Sequence, residues 1–376
     1  MVYVLGIALF ALGILVSVSL HEFGHMLTAK RFGMNVTRYF IGYGPTLFSF
    51  RRGGTEYGIK AIPLGGFAKI QGMTTLDDED GDRPMWTFPL WKRTVVMAGG
   101  PVAHFAFGFL LLWITVSFVG VPNPELAKPQ PAVITVDAGQ PAARAGLHDG
   151  DRITAFNGQP VASWDELIAA LSAANPGPAT VSVERDGRAV QQTVELAAGA
   201  QRPVLGVHFK QMVPDQVRYG PVRGVGVSAG YTKDAVAGTW AALIHLPQKI
   251  PGLWAALTGK PRDAETPISM VGASQLGGES AAHGQWSLFL LLLASLNFFV
   301  GLFNLLPLLP FDGGHIAVWW FERIRSTVYA RLRRPDPGRV DYLRLAPVTY
   351  AVILVAGAFT LLTIAADVIN PVRMFS

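Results

Sequence analysis

Four stretches of this chain are long and apolar enough to cross a lipid bilayer, and that limits what it can fold into. A bilayer core about 30 Å thick is spanned by about 20 apolar residues in a helix. Residues 2–20, 284–311 and 345–366 contain no Asp, Glu, Lys, Arg or His, and residues 94–122 contain only His104. The first run lacks the basic start and small-residue cleavage site of a signal peptide, so it is read as a retained span. Half of the 376 residues are hydrophobic and only 15% are charged, against about a quarter in soluble proteins. That excludes disorder, collagen and coiled coil. The absence of cysteine removes disulfides, thiolate metal sites and cysteine nucleophiles together. A net charge of +5 is small for this length, so the expected partner is the bilayer and not nucleic acid.

The expected fold is a multi-pass α-helical membrane protein with four transmembrane helices. The spans lie at about 2–30, 94–121, 285–311 and 345–367, within membrane domains 1–122 and 284–376. Four spans put both termini on one side, so the segments 26–93 and 312–344 share the other. Those two hold 17 Lys and Arg, against 13 in the longer segment 123–283. The bias predicts that they are cytoplasmic and that 123–283 is extracytoplasmic. Within 209–283, read as an interfacial linker, residues 234–258 carry Trp240, Trp254, Pro247 and Pro251. That pattern suits an amphipathic helix lying in the membrane interface.

The first span ends in His21-Glu22-Phe23-Gly24-His25. On a helix, histidines at i and i+4 share a face, so both imidazoles can hold one zinc while the glutamate between them exchanges a proton with water. A pair of surface histidines at a helix end is the plainer reading. It weakens where three ionisable groups end an apolar span, because such groups need partners or a purpose. Zinc needs a third protein ligand, and spans one and three run in the same direction. Span three leads through Asn304-Leu305-Leu306-Pro307-Leu308-Leu309-Pro310-Phe311 to Asp312, the first carboxylate after 28 uncharged residues. Asp312 is therefore preferred as the ligand. The alternatives are a simple helix-ending Asp-Gly turn, or His315 as a rival ligand folded back by Gly313 and Gly314.

The pairing of HEFGH in one span with NLLPLLPFDGG in a later one resembles the site-2 protease family of intramembrane zinc metalloproteases. The single PDZ-like segment between them is similar to the branch containing the regulator of sigma-E protease. The resemblance implies one zinc held by His21, His25 and Asp312, with Glu22 as catalytic acid/base. It implies that Asn304 positions the substrate backbone or stabilises the oxyanion. The implied substrates are single-pass membrane proteins: anti-sigma factors trimmed by a first protease, or remnant signal peptides. The implied location is the inner cell membrane, with the active site toward the cytoplasm and the PDZ-like domain outside. Two departures stand out. Phe311 replaces a leucine common beside the ligand aspartate, and His104 stands where a Gly-Gly-Pro-x-x-Asn motif has asparagine. His104 is read as site support, a fourth and inhibitory ligand, or a satisfied interhelical histidine.

Residues 54–72 alternate apolar and polar side chains between Gly58, Gly65 and Gly66, which reads as a β-hairpin near the zinc side, and the resemblance implies that it is the family's membrane-associated β-hairpin. Its edge is a place for an extended substrate to add as a strand; the plainer reading is a small structural hairpin. The acidic run Asp77-Asp78-Glu79-Asp80 reads as a solvated loop. Residues 123–208 read as an inserted α+β domain: a strand at 133–136, a short helix near 141–147, an Asn157-Gly158 hairpin, an amphipathic helix at 164–173 and an Asp186-Gly187 hairpin. The string PAARAGLHDGDRITAFNG resembles PDZ domains, which bind peptide ends or filter substrates by size. Residues 266–272 resemble a Gly-Pro-Ile-Gly motif weakly, with Thr266 in place of the first glycine. Two readings compete with the protease: a non-catalytic membrane adaptor with a peptide-sensing domain, and a metal transporter. The transporter is disfavoured because spans one and four carry no charge before their ends.

Overall fold

The computed structural model describes residues 1–74, 83–199, 202–262 and 266–375, so the acidic run 77–80 lies outside the described residues. In chain order, α1 (Val2–Arg31) leads to a hairpin of β1 (Val36–Arg52) and β2 (Thr55–Ile70), then α2 (Leu90–Ile114). Next come β3 (Val121–Pro122), β4 (Ile134–Val136), α3 (Pro141–Arg144), β5 (Arg152–Phe156), β6 (Gln159–Pro160) and α4 (Trp164–Ala173). They are followed by β7 (Gly177–Arg185), β8 (Arg188–Leu196), β9 (Val207–Phe209) and β10 (Gln216–Val217). The chain ends with α5 (Pro221–Leu257), α6 (Met270–Ala282), α7 (Trp286–Asn304), α8 (Asp312–Arg331) and α9 (Tyr342–Ile369). Two units emerge, Gly120–Arg218 and the remainder.

In the helical unit, four helices are long and apolar enough to cross a membrane: Val2–Arg31, Leu90–Val119, Trp286–Asn304 and Tyr342–Ile369. Lipid tails give no hydrophobic drive between helices, so close backbone approach at small residues has to hold them together. Gly24 of α1 and Gly99 of α2 meet main chain to main chain; a Cβ added at Gly99 would lie 2.7 Å from Gly24 O. Gly6 of α1 lies similarly against Gly278 and Ala281 of α6. Phe10, Leu111, Leu112, Phe289, Leu293 and Phe298 fill the space among α1, α2, α6 and α7.

Three features differ from the sequence expectations. The third span stops at Asn304 instead of 311, because Pro307 and Pro310 cannot donate to a continuing helix. The hairpin runs over 36–70 instead of 54–72. Its first strand is obscured in the sequence because Tyr43, Leu47, Phe48 and Phe50 are exposed apolar residues, so apolar side chains do not mark one buried face. The segment 234–258 belongs to the longer α5, which absorbs Pro247 and Pro251.

A buried ion pair organises Arg262 and the residues from Thr266 to the start of α6. Arg262 Nη1 lies 2.7 Å from Asp367 Oδ1, both side chains being 2% exposed or less. Arg262 also donates to Thr266 Oγ1 and Pro267 O. Asp367 Oδ2 accepts from Ser269 N, and the Ser269 hydroxyl caps α6.

The Gly120–Arg218 unit carries a four-stranded antiparallel sheet in the order β6-β5-β7-β8, with the separate pairs β4-β9 and β3-β10. Asn157 and Asp186 adopt positive φ before Gly158 and Gly187, the geometry that tight hairpins demand. Leu167 and Leu171 of α4 pack with Ile153, Val181 and Val183 in its core. Asp151, 1% exposed, receives two bonds from Arg185 at 2.7 Å and one from His148 N. Burial raises the Asp151 carboxyl, but Arg185 and the His148 N–H outweigh it and hold it below the usual carboxylate range.

Candidate metal centre

His21 and His25 sit one turn apart near the end of α1, and both are buried. Their Nε2 atoms are 3.1 Å apart. Asp312, the first residue of α8, brings Oδ2 to 3.3 Å from each of them. The loop before it is what permits this approach. The chain doubles back so tightly after α7 that a Cβ at Gly313 would strike Leu305, and one at Gly314 would lie 2.5 Å from Leu309 N. Gly100 of α2 clears space on the other side, where any side chain would run into both imidazoles.

These separations fit zinc. Ligands about 2.0–2.1 Å from a tetrahedral zinc lie about 3.3 Å from one another. Asp312 Oδ2 has no hydrogen-bond partner among the described residues, and the three ligand atoms all lie within 4.8 Å of one another, close enough to share one ion. His25 Nδ1 donates to Val96 O at 2.9 Å, which leaves Nε2 as the lone-pair nitrogen, as in metal-ligating histidines. Among the described residues, His21, His25 and Asp312 form the one group able to hold a metal.

The other sequence candidates lie around this centre. Glu22 is half-buried, and its Oε2 accepts from Ala68 N at 2.9 Å. Ala68 belongs to the 66–69 stretch of β2, which pairs with 38–41 on one side; Ala68 N–H turns to Glu22 on the other. Gly66 makes this crossing possible, since even a methyl there would lie 3.3 Å from Glu22 Cγ. The Asn304 amide donates to Val300 O within α7, at 3.0 Å. His315 is outside the ligand group: its Nδ1 lies 3.2 Å from the Tyr342 hydroxyl.

His104 is 2% exposed, with its ring 4.9 Å from that of His21. Its Nδ1 lies 2.9 Å from Ser17 Oγ and 3.1 Å from Asn297 Oδ1, and Ser17 Oγ also donates to Asn297 Oδ1. Asn297 Nδ2 donates to Leu293 O, which fixes Oδ1 as the acceptor. With the Ser17 proton directed to that oxygen, Nδ1 of His104 must carry the hydrogen. The network joins α1, α2 and α7 beside the metal ligands. Sequence reasoning missed Ser17 and Asn297. The available signal was a polar residue inside an otherwise apolar span, which has to find a partner.

Comparison with known proteins agrees with the chemistry of this donor set. The profile of Peptidase family M50 matches residues 9–334. The chain is 42% identical over 408 residues to "Zinc metalloprotease Rip1" of Mycobacterium tuberculosis (strain ATCC 25618 / H37Rv), with all of both chains covered. It is 41% identical over 406 residues to the protein of that name from Mycolicibacterium smegmatis, again with full coverage. With two imidazoles of α1 and a carboxylate of α8 set at zinc-ligand spacing, the chain belongs to peptidase family M50 and is a zinc metalloprotease of the site-2 type.

Proposed function

We propose that the protein hydrolyses peptide bonds within the membrane segments of single-pass proteins. The observation that carries this reading is the buried convergence of His21, His25 and Asp312 from two separate parts of the membrane unit. Zinc, when bound by these three residues, supplies the Lewis acidity that amide hydrolysis needs near neutral pH. Glu22 takes a proton from the attacking water and returns one to the departing amine nitrogen. The Ala68 N–H holds its carboxylate at 2.9 Å. A helical substrate shields its peptide bonds with its own hydrogen bonds, so it has to unwind before attack. The hairpin's edge offers replacement bonds to an extended chain. Asn304, at the C-terminus of α7, contacts the substrate backbone.

By family resemblance, the substrates are anti-sigma factors already trimmed once, or remnant signal peptides. The Gly120–Arg218 unit acts as a PDZ-like domain outside the cell membrane, and the metal centre faces the cytoplasmic side, as the Lys and Arg bias indicates. The test is a Glu22→Gln variant in liposomes with a single-pass reporter. Cleavage should fall by about a hundredfold or more while the zinc content stays at one per chain. Full cleavage by Glu22→Gln would remove Glu22 from the chemistry. Chelation should abolish wild-type cleavage, and added zinc should restore it.

A further inference from the structure

We propose that a cleft between the start of α2 and the middle of α8 binds the phosphodiester headgroup of an anionic phospholipid. The cleft is about 610 Å³ and is lined by Phe88, Pro89, Trp91, Arg93, Trp320 and Arg323. It lies where the apolar span Leu90–Val119 begins, the depth at which a headgroup meets the bilayer core, and Trp91 and Trp320 are residues of that boundary. Two cations serve it. Arg93 is stacked 5.2 Å from the Trp319 ring, and its buried Nε has no hydrogen-bond partner among the described residues. Arg323 is exposed on α8. Glu322, buried and accepting from Val340 N, offsets part of the Arg93 charge, which leaves Arg323 as the main cation. The first turn of α2 has no side-chain cap, which adds its amide dipoles to the attraction for a phosphate.

The helix behind the cleft argues for a lipid over a free anion. Phe321, Ile324 and Val328 of α8, with Leu332 just past its end, are all exposed, at spacings that place them along one stripe. The segment 312–344 carries seven arginines against four carboxylates. An apolar stripe flanked by arginines lies in a membrane interface and favours acidic lipid. The cleft then holds one headgroup while the stripe rests among acyl chains.

The test is native mass spectrometry of the full-length protein titrated with phosphatidylglycerol or phosphatidylcholine. Wild type should retain one phosphatidylglycerol with about tenfold preference or more. Arg323→Ala should lower that preference about fivefold, Arg323→Lys should keep most of it, and Arg188→Ala in the other unit should leave it unchanged. Equal retention of the two lipids, or an unaltered preference in Arg323→Ala, overturns the proposal. So does displacement of the lipid by millimolar inorganic phosphate, which would identify a simple anion site.

Discussion

Gly100 shows how little room the metal centre leaves. A helix-interior glycine replaced by alanine ordinarily stabilises a protein by about 0.5–1 kcal/mol. Here the added methyl would collide with both imidazoles. Gly100→Ala should therefore lose that gain: the melting temperature of the metal-free protein falls, as overpacking costs about 1–3 kcal/mol, and zinc affinity falls by about tenfold or more. Zinc content after dialysis against a graded chelator measures the second. His104 offers a contrasting case, because its role runs through partners. Asn297→Leu removes the acceptor that orients the His104 Nδ1–H and leaves a buried donor with one partner fewer. The expected cost is about 1–3 kcal/mol in stability, read as a lower melting temperature in detergent.

At the scale of elements, the β5-β7 pairing holds a buried carboxylate whose ionisation is linked to folding. The Asp151 pKa is depressed in the folded state. Its contribution is present above the ordinary carboxylate value of about 3.9 and disappears as pH falls through the lower folded value. Amide exchange of β5 and β7 in the whole protein, corrected for intrinsic rates, should accelerate in that acid range. In Asp151→Asn this pH dependence should vanish, and the strands should be weaker at neutral pH by about 2 kcal/mol. That is less than a fully buried pair would lose, because the Arg185 side chain is 25% exposed. The elements also show what the sequence made legible. A run of about 20 uncharged apolar residues has one solution in a bilayer, so all four apolar helices were readable. The three groups positioned for a metal were readable too, since i and i+4 histidines share a face and Asp312 is the first charge after a long apolar run. The strand at 36–52 was not, because an alternation rule assumes that the exposed face is polar, and Tyr43, Leu47, Phe48 and Phe50 are exposed. Ser17 and Asn297 were hidden for another reason: a lone polar residue announces a need for partners without saying which helix supplies them.

Across the whole helical unit, one buried ion pair ties the segment before α6 to the end of α9. Asp367→Asn would leave Arg262 buried and short of its counter-charge, at an expected cost of about 3–5 kcal/mol. The double change Arg262→Met with Asp367→Leu should recover most of that loss in a thermal-shift assay of the detergent-solubilised protein. A second tie works without charge. Where Gly24 meets Gly99, no side chain stands between two main chains, and the contact sits just beside His25. Soft side chains let packed helices slip past each other, but bare backbone has nothing to deform. The two helices are thus riveted at the point where the catalytic zinc is held. Any breathing that admits a long polypeptide has to come from the parts around this rivet, so the scissors can open at the handles while the pivot stays fixed.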